Sequence, residues 1–494
     1  MTGKHFQPEI SNSQEHEILT NDQMAQADRK ACENGIESFD LMCHAGRHVA
    51  HIARSFFDCH KVLVLTGPGN NGGDGFIAAQ DLSANGYTVT LACLVDKEKL
   101  KGDAGRAAQL YEGKIYSFKE LRDNQEAISG LKDTLVIDAV FGTGLTRALE
   151  SPVTELFDQI KQSDAPVLAV DIPSGVDGDS GACDSHSLKA QRTVTFFRKK
   201  LGHVLMPGAS VCGHIHVVQI GIPESVLNDT GFAAIENHPD LWVESLPQPV
   251  DNTHKYERGH AVIFGGDEMT GAACLAARSC TRVGAGLCTL LVNQGRGDVY
   301  RSILPPHIIV REDPDWDDPR ISARLVGPGA ASGAISMDKI VDKFMSSQCP
   351  LVIDADALIS GKNYTSQMVL TPHEGEFKRV FGELKGSKVE RMKAVIAKTP
   401  AVIVLKGADT LIAQAERPFV INTMKAPYLA TAGTGDVLAG MITGLVAQGM
   451  DHFMAACASV YIHSKAGEEL GQGLVASDLP KQLPAIFREV QAGT

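Results

Sequence analysis

Lys61-Val62-Leu63-Val64-Leu65-Thr66, followed by Gly67-Pro68-Gly69-Asn70-Asn71-Gly72-Gly73-Asp74-Gly75 and then Phe76-Ile77-Ala78-Ala79, decides the fold of the first half of the chain. An apolar strand runs into five glycines within nine residues, and a helix-compatible stretch opens at Phe76. A glycine-rich turn between strand and helix brings backbone N–H groups and a helix N-terminus close to an anion, normally the phosphate of a nucleotide. A tight structural turn needs fewer glycines, and two Asn and an Asp set among five point to a ligand loop.

Around this segment the same rhythm repeats. Apolar runs at Thr88–Val95, Thr134–Ile137, Val167–Val170 and Arg192–Phe197 are separated by stretches long enough for helices. Continuous apolar strands alternating with helices predict a parallel sheet covered on both faces. Two more loops leave strand ends: Asp138-Ala139-Val140-Phe141-Gly142-Thr143-Gly144-Leu145-Thr146-Arg147, and Asp171-Ile172-Pro173-Ser174-Gly175. In an open parallel sheet ligands bind beyond the carboxyl ends of the strands, so the three loops should converge on one crevice.

From Gly221 to Asp251 the rhythm is lost, and Pro223, Pro239, Pro247 and Pro249 mark a linker. A second series follows at Ala261–Phe264, Arg324–Val326, Leu351–Ile353, Met368–Leu370 and Ala401–Leu405. The expected organisation is α/β throughout: a first domain over residues 1–222, a linker over 223–250 and a second domain over 251–494.

The whole chain agrees with two large domains, since 494 residues with 44% hydrophobic and 21% charged side chains can bury ample core. A net charge of −13 argues against nucleic acid as a partner, because a phosphate-backbone binder needs a basic face. The eleven cysteines form no CxxC pair and read as buried thiols in a reducing compartment. A polar start and the lack of a long apolar run predict no signal peptide and no membrane span, so the cytoplasm is the expected location.

In the second domain the deciding stretch is Ala430-Thr431-Ala432-Gly433-Thr434-Gly435-Asp436-Val437-Leu438-Ala439-Gly440. The glycines precede an apolar helix, which predicts an anion hole of loop N–H groups with Asp436 beside it as a base for a substrate hydroxyl. A capping role would explain Asp436 but not both glycines.

The three first-domain loops resemble the signature loops of the YjeF N-terminal family, over Ile18 to Glu224. That resemblance implies a Rossmann-like fold and NAD(P)H-hydrate epimerase activity. It implies that Asn70, Asn71, Gly72, Gly73, Asp74, Gly142, Thr143, Gly144, Leu145, Thr146, Arg147, Ala148 and Asp171 contact the hydrated dinucleotide, and that Asn71, Asp138 and Ser174 hold K+. Asp171 is the expected acid–base group for the C6 hydroxyl; the alternative for it is a helix N-cap, and for Asp138 and Ser174 likewise helix caps. Lys200 matches the lysine of the family's Lys-Pro-Gly segment, although Leu201 follows it here, and its role in the site stays open; the neighbouring Arg198 and Lys199 add charge and read equally as a solvated edge.

The Gly433–Asp436 segment resembles the anion hole of the ribokinase-like superfamily. Together with Gly259–Asp267, Gly327–Gly329, Asp354–Leu358, Leu370–Glu376 and Lys406–Thr410 it resembles the YjeF C-terminal family, the ADP- or ATP-dependent NAD(P)H-hydrate dehydratases, over Asn252 to Glu489. The resemblance implies that Lys406, Gly407, Ala408, Asp409, Thr410 and Gly435 bind the adenine nucleotide, accompanied by Mg2+, and that Ala272, Gly329, His373 and Asp436 contact the hydrate. It also implies a homo-oligomer. His373 taken alone reads equally as a hydrogen-bonded core histidine. Lys425-Ala426-Pro427-Tyr428 before the anion hole and Ile359 depart from the family pattern and leave ADP against ATP open.

The expected function is therefore bifunctional repair of NADHX and NADPHX, by epimerising the R and S forms and dehydrating the S form with ADP or ATP. Two rivals stay open: a small-molecule kinase fused to a nucleotide-binding regulatory domain, and an N-terminal domain that only binds.

Overall fold

The computed structural model describes residues 16–124, 128, 130–145, 147–330 and 337–492. Thr146, expected at the dinucleotide, lies outside the described residues. The chain forms two compact units, Met1–Ala234 and Ile235–Thr494.

The first unit contains strands β1 (Glu17–Leu19), β2 (Lys61–Thr66), β3 (Thr88–Cys93), β4 (Ile115–Ser117), β5 (Thr134–Ala139), β6 (Val167–Val170), β7 (Arg192–Phe196), β8 (Lys199–Lys200) and β9 (His214–Val218). Its main sheet runs β4-β3-β2-β5-β6-β7-β9, every pair parallel. The order reverses between β2 and β5, which is the doubly wound arrangement that opens a crevice at their carboxyl ends. Residues of β2 alternate between two cores: Val62 and Val64 pack with helices α1 (Asn21–Glu33), α2 (Ser38–Phe56) and α3 (Asn70–Ala84), while Leu63 and Leu65 pack with Leu156, Phe157 and Ile160 of helix Val153–Gln162. Burial on both faces is why this strand reads as an unbroken apolar run.

Helix α3 begins at Asn70, six residues earlier than the sequence reading set it, so Asn70 to Gly75 are its first turns and not a loop. The glycines permit close packing. A Cβ on Gly72 would lie 2.0 Å from the Gly67 carbonyl oxygen, so no larger residue fits where α3 leaves the strand. Strand β5 also extends to Ala139, which places Asp138 inside the sheet.

A short strand, β10 (Ala234–Glu236), lies at the division of the chain. The second unit then holds β11 (His260–Phe264), β12 (Leu287–Leu291), β13 (Ile309–Arg311), β14 (Ala323–Val326), β15 (Leu351–Ile353), β16 (Met368–Leu370), β17 (Val402–Leu405), β18 (Leu411–Ala413) and β19 (Phe419–Ile421). They lie in the order β13-β12-β11-β14-β15-β16-β17-β18-β19, parallel as far as β17 and antiparallel through β18 and β19. Helices Thr270–Arg282, Thr434–Ala447 and His452–Leu470 supply much of the core against this sheet. Trp242, within the proline-marked segment, is fully buried in that core and donates its indole N–H to Asn237 Oδ1 at 3.2 Å.

All eleven cysteines are free thiols. Among the described residues no helix is long and apolar enough to cross a membrane.

Candidate functional site

The start of α3 and the loops after β5 and β6 meet over a cavity of about 870 Å³ at the point where the strand order of the first unit reverses. Asn70, Asn71 and Asp74 come from α3, Phe141 to Leu145 and Arg147 from the loop after β5, Asp171 from the end of β6, and Lys200 from β8. Gly72 and Gly73 are buried in helix packing, and Ala148 is exposed outside the lining.

Asp138 and Ser174 lock two of the loops together. Ser174 Oγ donates to Asp138 Oδ1 at 2.6 Å, Ser174 N to Oδ2 at 2.9 Å, and Phe141 N donates to Ser174 Oγ at 2.9 Å. Burial raises the Asp138 pKa, and the bonds from Ser174 and Val140 oppose it. Asn71 brings a different feature, because among the described residues neither its amide oxygen nor its amide nitrogen has a hydrogen-bond partner although both atoms are buried. An amide oxygen, a hydroxyl and a carboxylate are the oxygen ligand types that suit a hard monovalent cation, and the orphaned amide of Asn71 leaves one of them without a competing partner.

Asp171 has φ of 60°, in the left-handed region. Among the described residues no helix starts there, which removes the capping alternative, and none is capped by Asp138 or Ser174 either. Asp171 Oδ1 accepts from Lys200 Nζ at 2.7 Å and from Thr195 Oγ1 at 2.9 Å, and Oδ2 lies 3.5 Å from the Thr143 N–H that points at it. Lys200 is 1% exposed and also donates to the Phe196 carbonyl, and Arg198, 2% exposed and bonded to Glu17 and the Phe197 carbonyl, is no solvated edge. Beneath them His203 accepts from Lys200 N at 2.9 Å through Nδ1 and donates from Nε2 to Asp171 O at 2.7 Å. Burial holds that imidazole neutral, with a pKa of about 4. Burial also works to raise Asp171, but Lys200, His203 and the bonds from Lys200 and Thr195 outweigh it and hold the carboxyl below its ordinary range. Asp74 moves the other way, well up, through burial and then the charges of Asp171 and Asp28.

Sequence reading passed over Thr195, His203 and Asp28, all close to Asp171. For Asp28 a signal existed: it lies midway between Met24 and Cys32 at helical spacing on the face of α1 that lines the cavity.

In the second unit β17 ends at Leu405, and Lys406 follows with its N–H on the Pro372 carbonyl at 2.8 Å. Its ammonium donates to Asp354 Oδ1 at 2.7 Å, lies 4.0 Å from Glu376, and would be 3.5 Å from a Cβ on Gly435. Thr371 Oγ1 donates to the same Asp354 oxygen at 2.7 Å. Gly433, at φ 90°, turns the chain into helix Thr434–Ala447, and the N–H groups of the first turn stand beside Asp436. Burial raises the Asp436 pKa to about 7, Asp354 adds to the rise, and Lys406 opposes it. Such a carboxyl is poised to exchange a proton near neutral pH.

The remaining expected residues fall in three places. Gly329 and Ala272 are neighbours, since a Cβ on Gly329 would lie 3.0 Å from the Ala272 Cβ. Lys406 to Thr410 form a closed turn in which Gly407 N donates to Thr410 Oγ1 at 3.1 Å, and Asp409 is paired with the buried Lys388 at 2.7 Å. His373 is no core histidine: 61% exposed, it caps helix Glu374–Phe381, its Nδ1 accepting from Glu376 N at 3.0 Å while Glu376 accepts from His373 N. Asp354 and Glu376, quoted in the motifs but given no role there, are the carboxylates nearest Lys406.

Two family models match the chain. Residues 38–202 match "YjeF-related protein N-terminus" and residues 260–488 match "NAD(P)H-hydrate dehydratase". A bifunctional NAD(P)H-hydrate repair enzyme of Moorella thermoacetica is 33% identical over 518 residues, covering 96% of this chain and 97% of that one. Another, of Coxiella burnetii, is 33% identical over 486 residues and covers 94% and 97%. The solved structure of an ADP/ATP-dependent NAD(P)H-hydrate dehydratase from Bacillus subtilis, co-crystallized with ATP and Mg2+, is similar at 28% identity and a TM-score of 0.47, over 52% of this chain and 99% of that one. Similarity at this level along nearly the whole length of both curated relatives establishes that the chain belongs to the bifunctional NAD(P)H-hydrate repair enzymes, with an epimerase unit followed by a dehydratase unit.

Proposed function

We propose that Asp171 and Asp436 carry the two halves of NAD(P)H-hydrate repair, Asp171 in exchanging the R and S epimers and Asp436 in dehydrating the S epimer at the expense of ADP or ATP. The observation that carries the reading is that each unit sets an aspartate by a lysine at the carboxyl ends of its own parallel strands: Asp171 on Lys200 at 2.7 Å, and Asp436 under the influence of Lys406.

In the first unit an ionised Asp171, held in position by Lys200 and Thr195, accepts the proton of the C6 hydroxyl and later returns it. The N-terminus of α3 and the N–H groups of Gly142 and Gly144 favour the dinucleotide phosphates. Asn71, Asp138 and Ser174 would hold K+, which supplies positive charge next to those phosphates.

In the second unit Asp436 takes the proton of the C6 hydroxyl as its oxygen attacks the terminal phosphate of the nucleotide. The resulting phosphate ester is a better leaving group than hydroxide: N1 expels it from C6, and the departing phosphate takes the C5 proton, which restores the C5=C6 double bond. Lys406 and the first-turn N–H groups of helix Thr434–Ala447 stabilise the charge that develops on the phosphate. Mg2+ arrives with the nucleotide as part of that substrate.

The test is a mixed NADHX preparation with Mg2+ and ADP or ATP, with the epimers resolved by chromatography and NADH followed by absorbance. D436N should abolish NADH recovery and leave epimer exchange intact. D171N should consume the S epimer at the normal rate and the R epimer only at its spontaneous rate. Loss of both activities from either single substitution in a folded protein refutes the division of labour.

A further inference from the structure

Helix α1 lines the epimerase cavity with Met24, Asp28 and Cys32, four residues apart and so on one face of the helix. The helix is held firmly at its start. Asn21 N donates to Asp179 Oδ1 at 2.7 Å, Asn21 Nδ2 donates to the Thr143 carbonyl at 2.8 Å, and Thr20 closes a capping box with Gln23. Asp28 is therefore presented at a fixed depth to the cavity that also receives Asp171 and Lys200. Among the described residues its carboxyl has no hydrogen bond and no ion pair, whereas Asp171 is engaged by Lys200, Thr195 and Thr143.

We propose that Asp28 is the second proton carrier of the epimerisation, supplying a proton to the ring nitrogen while Asp171 takes one from the C6 hydroxyl. The proposal rests on the reading of this cavity as the NAD(P)H-hydrate site. As Asp171 accepts the hydroxyl proton, the C6–N1 bond breaks and C6=O forms; the electron pair left on N1 takes the Asp28 proton. The open aldehyde turns its other face, N1 attacks C6, the N1 proton returns to Asp28, and the C6 oxygen recovers its proton from Asp171. Nothing is consumed, and the product differs from the substrate only at C6.

The surroundings suit the division. Asp28 faces Lys200 and Arg29, which favour its charged form, and Asp171 and Asp74, which oppose it. Burial dominates and places its pKa at about 6, while Asp171 stays below its ordinary range. Two carboxyls whose environments push their pKa values apart serve as acid and base respectively.

The experiment uses the full chain with purified (R)-NADHX and no adenine nucleotide, following appearance of the S epimer by chromatography. D28N should lower kcat for exchange about 100-fold or more with KM changed less than about threefold, and should lose the fall in kcat that the wild type shows above about pH 6. NADH formation from the S epimer with nucleotide, measured on the same preparation, serves as the folding control. On the wild type, two protons in flight predict a curved proton inventory in mixed H2O and D2O, a readout independent of any variant. Wild-type kcat and pH profile in D28N, or a linear inventory in the wild type, overturns the role of Asp28. Should the wild type fail to exchange epimers while it dehydrates the S form, the reading of the cavity itself falls, and that result is distinct from an active D28N beside an inactive D171N.

Discussion

Replacing Asp436 by Asn should stabilise the ligand-free protein at the same time as it stops dehydration. The site moves this carboxyl from an ordinary value of 3.8 to about 7, through burial first and Asp354 second, with Lys406 opposing. A carboxyl whose pKa is higher in the folded state stays protonated in the fold while the unfolded chain ionises. Its contribution to stability is therefore fully present below the unfolded value, is lost as pH rises towards about 7, and stays lost above it. At about 1.4 kcal/mol per pH unit the deficit is bounded at about 4 kcal/mol, and residual solvent access and relaxation of the site reduce it to about 2 kcal/mol. An Asn of the same shape carries no such deficit. D436N should melt about 4 to 8 °C above the wild type at about pH 8, with the gain shrinking as pH falls towards about 4. Calorimetry or fluorescence-monitored melting without ligand, across that range, measures the difference. A variant no more stable than the wild type at the alkaline end, or a gain that does not shrink in acid, refutes the reasoning that this site strains its own base.

Three further outcomes follow from the geometry. Dehydration by the wild type should fall about tenfold per pH unit below about 7, as Asp436 becomes protonated, and a flat profile at saturating nucleotide would remove it as the base. Epimer exchange should run faster in potassium than in sodium at equal ionic strength; equal rates would leave the buried amide of Asn71 without the role assigned to it. Gly72→Ala would drive a Cβ to within 2.0 Å of the Gly67 carbonyl oxygen, which should cost the first unit about 3 kcal/mol or more in urea unfolding, and wild-type stability would show that the start of α3 has room to shift.

Strands that are buried on both faces declare themselves in sequence, because burial demands an unbroken apolar run whatever the neighbours are. Lys61–Thr66, Val167–Val170, Leu351–Ile353 and Met368–Leu370 were readable to the residue for that reason. Short, partly exposed strands such as Ile115–Ser117 and Ile309–Arg311 emerge only from pairing with strands already placed, and the buried apolar runs Leu411–Ala413 and Phe419–Ile421 gain their antiparallel direction only from pairing with Val402–Leu405 and with each other. The glycine-rich segment announced a close approach, but whether its residues form a loop or the first turns of α3 depends on the Gly67 carbonyl and the packing around it, which local preference does not contain.

The chemistry divides along the same line. Which residue types gather at strand ends is a local fact, so Asp171, Lys406 and Asp436 stood out by position after apolar runs and beside glycines. What each can do was decided by residues remote in the chain: Lys200, 29 positions from Asp171, keeps it ionised, while Asp354 helps to hold Asp436 near neutrality. Asp28, 143 residues ahead of Asp171, shares a cavity with it only after helix and sheet have packed. A proton affinity is set by distance and burial, and the fold alone makes those, whereas hydrophobic period and turn chemistry act over a few neighbouring residues and can be read before any fold exists.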